Sequence, residues 1–137
     1  MRRLLDHYVA RVWQARDPDA VDDLLTPGFR RHTGFGSEPL SREGQKELLQ
    51  SFQSAFPDAE LTIKDGVVDG DRMAFRSTLR GTHRGAFRGV APTGRRVTVR
   101  LLDLVRVEDG RFAEQWGGPD LLDLLLQLGA RVETDGA

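Results

Sequence analysis

The chain has 137 residues, 39% hydrophobic and 30% charged, with a formal net charge of −1. That is enough for one domain with a real core and too little for two ordinary ones, and the near-neutral balance gives no pull toward nucleic acid or a membrane surface. The lack of cysteine excludes disulfides, thiolate catalysis and cysteine-ligated metals.

The amino-terminal MRRLLDHYVARVW starts basic but has neither an uninterrupted apolar run nor a cleavage site. No signal peptide is expected, no segment approaches a membrane span, and the expectation is a soluble, cytoplasmic protein. Leu4, Leu5, Tyr8, Val9, Val12 and Trp13 fall at helical spacing and give the first helix one apolar face. His7 lies on its polar side. Asp17-Pro18 opens a short second helix with Val21, Leu24 and Leu25 inward, and Pro27-Gly28 stops it. Phe29–Gly36 is read as irregular, carrying His32 and Phe35. Ser41 is an N-cap for a helix running to about Phe56, with Leu48, Leu49, Phe52 and Phe56 on one side.

The period then changes. Leu61–Val68 reads as a strand, and Asp69-Gly70-Asp71 as a turn. Met73, Phe75, Ser77 and Leu79 alternate with Ala74, Arg76, Thr78 and Arg80, the pattern of a half-buried antiparallel strand. Leu79–Gly94 reads LRGTHRGAFRGVAPTG, whose glycines mark bulges, bends or close backbone approach. Arg96–Val107 is the next strand, Glu108-Asp109-Gly110 a hairpin turn, and Phe112–Trp116 the last strand. Gly118-Pro119-Asp120 starts a Leu-rich helix that Gly129 ends. A single domain over 1–137 is expected, with an ordered core of about 2–129 and a polar tail at 130–137. Helices followed by an antiparallel meander predict an α+β fold in which a twisted sheet wraps helices around an apolar cavity, the default place for a small-molecule site.

The order helix, helix, loop, helix, then four strands resembles the cone-shaped nuclear-transport-factor-2-like fold. Three segments are similar to the SnoaL-like polyketide cyclases: AFPDAELTIKDGVVDGDRMAFR at Ala55–Arg76, GTHRGAFRGVAPTG at Gly81–Gly94, and EDGRFAEQW followed by LLDLLLQLG. The resemblance spans nearly the whole chain. It implies a protein that binds flat, largely apolar polyketide intermediates in the cone and closes a ring without metal or organic cofactor. In the aldol reaction of that family a carboxylate exchanges a proton with an acidic carbon while neighbouring donors stabilise the enolate.

One departure matters. Where the aldol cyclases typically read Glu-His-Trp-Asp on the last strand, this chain reads Glu114-Gln115-Trp116-Gly117. Gln115 takes the His position and Gly117 that of the catalytic Asp, and a Gln exchanges hydrogen bonds but not protons. The resemblance places Leu101 and Asp103 inward with Val99 and Val105, which makes Asp103 the candidate acid/base, or else a carboxylate paired with an inward Arg or capping a backbone group. His32 is a second catalytic candidate, at the cavity mouth by analogy with the fold family, or a surface His beside Arg30 and Arg31. Gln115 completes the catalytic set. Tyr8, Trp13, Phe35, Phe52, Phe56, Phe75 and Leu101 are candidates for a wall against a planar substrate, with core packing as the alternative for each. His83 either contacts substrate or orients the following loop.

Trp116 and the faces formed by Arg76, Thr78, Arg80 and by Arg100, Leu102, Leu104, Arg106 suit a sheet-to-sheet homodimer. Three functions compete. The first is a cofactor-independent cyclase or isomerase on a polyketide-like or aromatic intermediate. The second is epoxide opening by water or an internal hydroxyl, for which no second cavity carboxylate is evident unless Asp120 or Glu114 turns inward. The third is a non-catalytic binding or accessory protein.

Overall fold

Apolar residues three and four apart bury one side of the first helix in the computed structural model of the protein, which describes residues 1–33 and 38–134. Helix α1 (Arg2–Tyr8) continues as a π-helical segment (Val9–Gln14) that buries Val9, Val12 and Trp13. The widened turn ends with the Ala15 N–H on the Ala10 carbonyl, and Arg16 follows with φ +52. Asp17 does not cap the next helix directly. Its side chain accepts from the Asp19 N–H, and α2 begins at Ala20 and runs to Leu24.

Pro27-Gly28, expected to break structure, instead sits inside strand β1 (Leu25–His32). The correction has a physical reason. β1 is an edge strand whose register with its partner shifts between Leu25 and Arg30, and an edge or a bulge is where a sheet tolerates proline. Phe29, fully buried, anchors it.

Helix α3 (Arg42–Ala55) is capped as expected, the Ser41 hydroxyl accepting from the Gly44 N–H at 3.2 Å. Four strands follow: β2 (Glu60–Asp69), β3 (Arg72–Thr82), β4 (Arg96–Glu108) and β5 (Arg111–Pro119). Positive φ at Asp109 and Gly110 matches the twist a two-residue β4–β5 turn requires. Helix α4 (Leu121–Gln127) starts on Asp120, which accepts from the Asp123 N–H.

The sheet order is β1-β5-β4-β3-β2. Strands β2 to β5 pair antiparallel, and β1 joins β5 in parallel, so the sheet is mixed and has five strands rather than four. Its inner face carries Met73, Phe75, Ser77 and Leu79 from β3 and Val97, Val99, Asp103 and Val105 from β4. The apolar ones pack with α3 and the π-helical segment in one hydrophobic cluster. The segment 83–95 closes over the carboxy-terminal end of α3, whose Ala55 carbonyl accepts from the Arg84 and Gly85 N–H groups. A side chain at Gly85 would meet the Ser54 carbonyl, so this approach needs glycine. Among the described residues no helix is long and apolar enough to cross a membrane.

Candidate active site

Between the inner face of the sheet and the helices lies a cavity of about 50 Å³, walled mainly by Leu5, Leu49, Phe75, Leu101, Val105 and Phe112. Into this apolar space project Tyr8, Arg31, Gln45, Ser77, Asp103 and Gln115. Each has a local cause. Arg31 and Gln115 are register partners on β1 and β5, and Asp103 on β4 faces Phe75 on one side and Gly117 on the other. Ser77 follows Phe75 by one alternation. Gln45 stands one turn before Leu49 on the buried stripe of α3 and is 1% exposed.

The polar groups form one chain. Gln115 donates its amide to Asp103 Oδ1 at 2.9 Å. The Arg31 guanidinium lies 3.7 Å from the same oxygen, an ion-pair separation too long for a good hydrogen bond. Arg31 spends its better bonds on neutral acceptors, Gln45 Oε1 and the Gly117 carbonyl, each at 3.2 Å. Because Gln45 must turn its oxygen to Arg31, its nitrogen faces the Tyr8 hydroxyl at 3.4 Å and leaves the phenol proton free. Among the described residues Arg31 Nε and Ser77 Oγ are buried without a partner, as is His83 Nε2 away from the cavity. Unsatisfied buried donors are costly and rare, and here Arg31 and Ser77 both line the cavity.

Asp103 is 4% exposed. Burial pushes its carboxyl above the ordinary range, against the opposing pull of Arg31 and the Gln115 hydrogen bond. Burial likewise raises the Tyr8 phenol, which therefore stays a proton donor. The site thus combines a carboxyl of raised affinity for a proton with cationic and neutral donors in a dry setting, the parts needed for moving a proton and holding an oxyanion.

The glycine pair beside Arg31 is structural. Gly117 (φ +95) and Gly118 (φ +144) occupy backbone that side chains avoid, and a Cβ would fall on the Leu102 carbonyl or the Arg31 guanidinium. A side chain has no room at 117 in this backbone.

The structure brings Asp103, Gln115, Tyr8, Trp13, Phe75 and Leu101 to the cavity. It places His32 elsewhere. One residue after Arg31 on β1, His32 faces the outer side of the sheet, stacks on Trp116 and bonds Glu114 at 2.8 Å. Phe52 and Phe56 pack with Phe87 in the core rather than on the cavity wall. His83 is fully buried behind them, its ring beside Phe56 and its Nδ1 accepting from the Thr93 N–H. Phe35 lies outside the described residues. Sequence reasoning missed Arg31, Gln45 and Ser77. Gln45 was detectable as a polar residue on an apolar helix stripe, and Ser77 as a hydroxyl at an inward strand position. Arg31 was hidden because β1 was not recognised. Among the described residues no group of three or more His, Asp or Glu is placed to hold a metal ion.

An α+β cone that closes a five-stranded sheet around a buried site is a member of the nuclear-transport-factor-2-like class. The sequence pattern of the SnoaL-like polyketide cyclase family matches residues 3–128, and the chain belongs to that family. Similar solved structures include AclR, a candidate hydroxylase from Streptomyces galilaeus, with TM-score 0.83 and 31% identity over 93% of this chain and 94% of that one. IdmH, a candidate polyketide cyclase from Streptomyces antibioticus, matches with TM-score 0.82 and 33% identity over 94% and 98%. TsrD from Streptomyces laurentii matches with TM-score 0.82 and 35% identity over 95% of each chain. Comparison with the curated proteins finds no match.

Proposed function

We propose that the protein is a cofactor-independent cyclase or isomerase acting on a polyketide-like or aromatic intermediate, with Asp103 as acid and base. The observation that carries this is a buried carboxyl, held by Gln115 and Arg31, inside an apolar cavity with unsatisfied donors. Ionised Asp103 takes a proton from a carbon next to a carbonyl. The electron pair moves onto the carbonyl oxygen, where Arg31 Nε–H and the Tyr8 hydroxyl stabilise the enolate. The enolate carbon attacks a second carbonyl of the same molecule, and Asp103 returns its proton to the new alkoxide. Membership of a cyclase family and similarity to IdmH support the reaction class.

Epoxide opening is the second reading, and the Arg31–Asp103 pair favours it. Protonated Asp103 delivers its proton to the epoxide oxygen as a hydroxyl of the substrate attacks carbon, and the carboxylate so formed takes up the proton that the hydroxyl releases. Neither of the other candidate carboxylates reaches the cavity, since Glu114 faces outward and Asp120 caps α4. A binding or accessory role without chemistry is the reading of another class, and similarity to a candidate hydroxylase keeps assistance to hydroxylation within it.

One experiment separates them. The protein and its Asp103→Asn variant are incubated with poly-β-carbonyl and hydroxy-epoxide precursors, and products are followed by mass spectrometry and NMR. Ring closure by wild type and not by the variant supports the acid/base role. Undiminished turnover by Asp103→Asn removes it, and stoichiometric capture of unchanged ligand favours the binder. The outer sheet face, with Leu102 at 65% and Val67 at 71% exposure, is the surface through which we expect the protein to form a soluble, cytoplasmic homodimer.

A further inference from the structure

The inner cavity has a larger neighbour. A surface groove of about 480 Å³ runs along Gln14, Arg16, Asp58, Glu60 and Thr62, against about 50 Å³ for the cavity. Trp13 and Leu61 line both spaces and form the partition between them. The cavity as it stands has room for a few water molecules, whereas sites for ring-containing ligands usually run to about 300 Å³ or more. A polycyclic ligand therefore does not fit in the cavity alone.

The two sides of the partition differ in chemistry. The cavity is apolar around its few donors, and the groove wall is mostly polar. Two of the groove's ionised groups are bonded to neutral partners. Both Asp58 oxygens are taken by Thr82, through its N–H and its hydroxyl at 2.7 Å each, and Arg16 donates to the Pro57 carbonyl. What remains open to a ligand is a polar hydrogen-bonding surface that carries both signs of charge, Arg16 against Asp58 and Glu60. The partition is also the least regular helical part of the molecule. Trp13 sits in the π-helical segment, and the left-handed Arg16 ends it. π-Helical turns give up the regular bonding ladder and recur at functional sites.

We propose that the ligand has two parts and spans the partition. Its reacting ring end passes between Trp13 and Leu61 to lie beside Asp103, and a polar, hydroxyl-bearing remainder stays in the groove. This rests on the small-molecule role of the cavity proposed above and adds the substrate's shape, polarity and direction of approach.

The absence of cysteine makes the test clean. In a Trp116→Phe background Trp13 is the single tryptophan and reports binding by fluorescence quenching. Thr62→Cys puts one thiol in the groove for capping with a maleimide-linked polyethylene glycol, and Asp109→Cys in the β4–β5 turn is the control. The probes are emodin and emodin O-glucoside. Capping at 62 is expected to raise the Kd of the glucoside about tenfold and to slow association of emodin by a similar factor, while capping at 109 changes neither. Ser77→Leu, which fills the cavity, weakens both probes, with its melting temperature confirming the fold. If capping at 62 changes neither quantity while Ser77→Leu still weakens both probes, the two-part site is wrong and the cavity survives. If Ser77→Leu weakens neither, or no probe quenches Trp13, the cavity reading fails and the groove proposal falls with it.

Discussion

Asp103 and Glu114 lie on neighbouring strands, β4 and β5, and each has an arginine nearby, yet their surroundings drive their carboxyls in opposite directions. Glu114 faces outward, where His32 at 2.8 Å and Arg106 at 3.3 Å hold its carboxyl below the ordinary range. Asp103 faces inward, where burial outweighs Arg31 and Gln115 and pushes it up. The outer face meets its polar needs with local pairs such as Asp65–Arg76, at 2.8 Å through both carboxylate oxygens. The inner face leaves Arg31 Nε and Ser77 Oγ without partners. Pairs that close on themselves add little chemistry. Donors left open in a dry space are where a ligand's oxygen gains most.

The strongest way to break this contrast is Asp103→Asn, which keeps the shape and removes the exchangeable proton. Turnover is expected to fall about a thousandfold, within the usual range for losing a general acid–base, in a rate assay on the precursor that proves to be the substrate. Next comes Gln45→Leu, an apolar swap on the buried stripe of α3. It strips Arg31 and Tyr8 of a shared partner and is expected to cost about 1–3 kcal/mol in urea unfolding.

Acidity sharpens the comparison further. The folded-state pKa of Asp103 is raised, so the folded protein keeps a proton that the unfolded chain has already released. Stability is therefore lost as pH rises from the ordinary carboxylate range through the raised value, and Asp103→Asn escapes that loss. Glu114 is lowered, so its contribution is present above the ordinary value and disappears as pH falls through the lowered one. In melting temperatures followed against pH, Asp103→Asn should gain on wild type as pH rises and Glu114→Gln should lose. Curves of the same sign would sink the inner–outer distinction. The smallest effect is expected from Glu114→Gln at neutral pH, about 0–1 kcal/mol by thermal or urea unfolding, as for other partly exposed ion pairs.

What was legible in the sequence was local. The Ser41 cap, the alternation along β3 and the Asp109-Gly110 turn depend on neighbours a few residues away, and they stand where the pattern put them. The inward place of Asp103 followed from the family resemblance combined with strand alternation. β1 was not legible, because Pro27-Gly28 reads as a break and its partner strand lies far along the chain. Missing one strand exchanged two residues. With period-two alternation, Arg31 turns in and His32 turns out, so the visible histidine drew attention that belonged to the arginine beside it. Nothing local announces that Gln45 bridges Arg31 to Tyr8, since that bond joins a helix to an unrecognised strand.

The parallel edge strand has a consequence for how the protein acquires its site. Arg31 reaches the Gly117 carbonyl across 86 positions of chain. Closing such a separation carries a large loop-entropy cost before any contact repays it, so this pairing belongs among the late events of folding. Asp103 meets Gln115 across the two-residue β4–β5 turn and Phe75 across the segment 83–95, both in antiparallel pairs much closer in sequence. A nascent chain can therefore bury the carboxyl before the guanidinium arrives, and docking of β1 is the step that completes the electrostatics. Fraying of the same edge in the finished protein would switch the site off while most of the core stays intact.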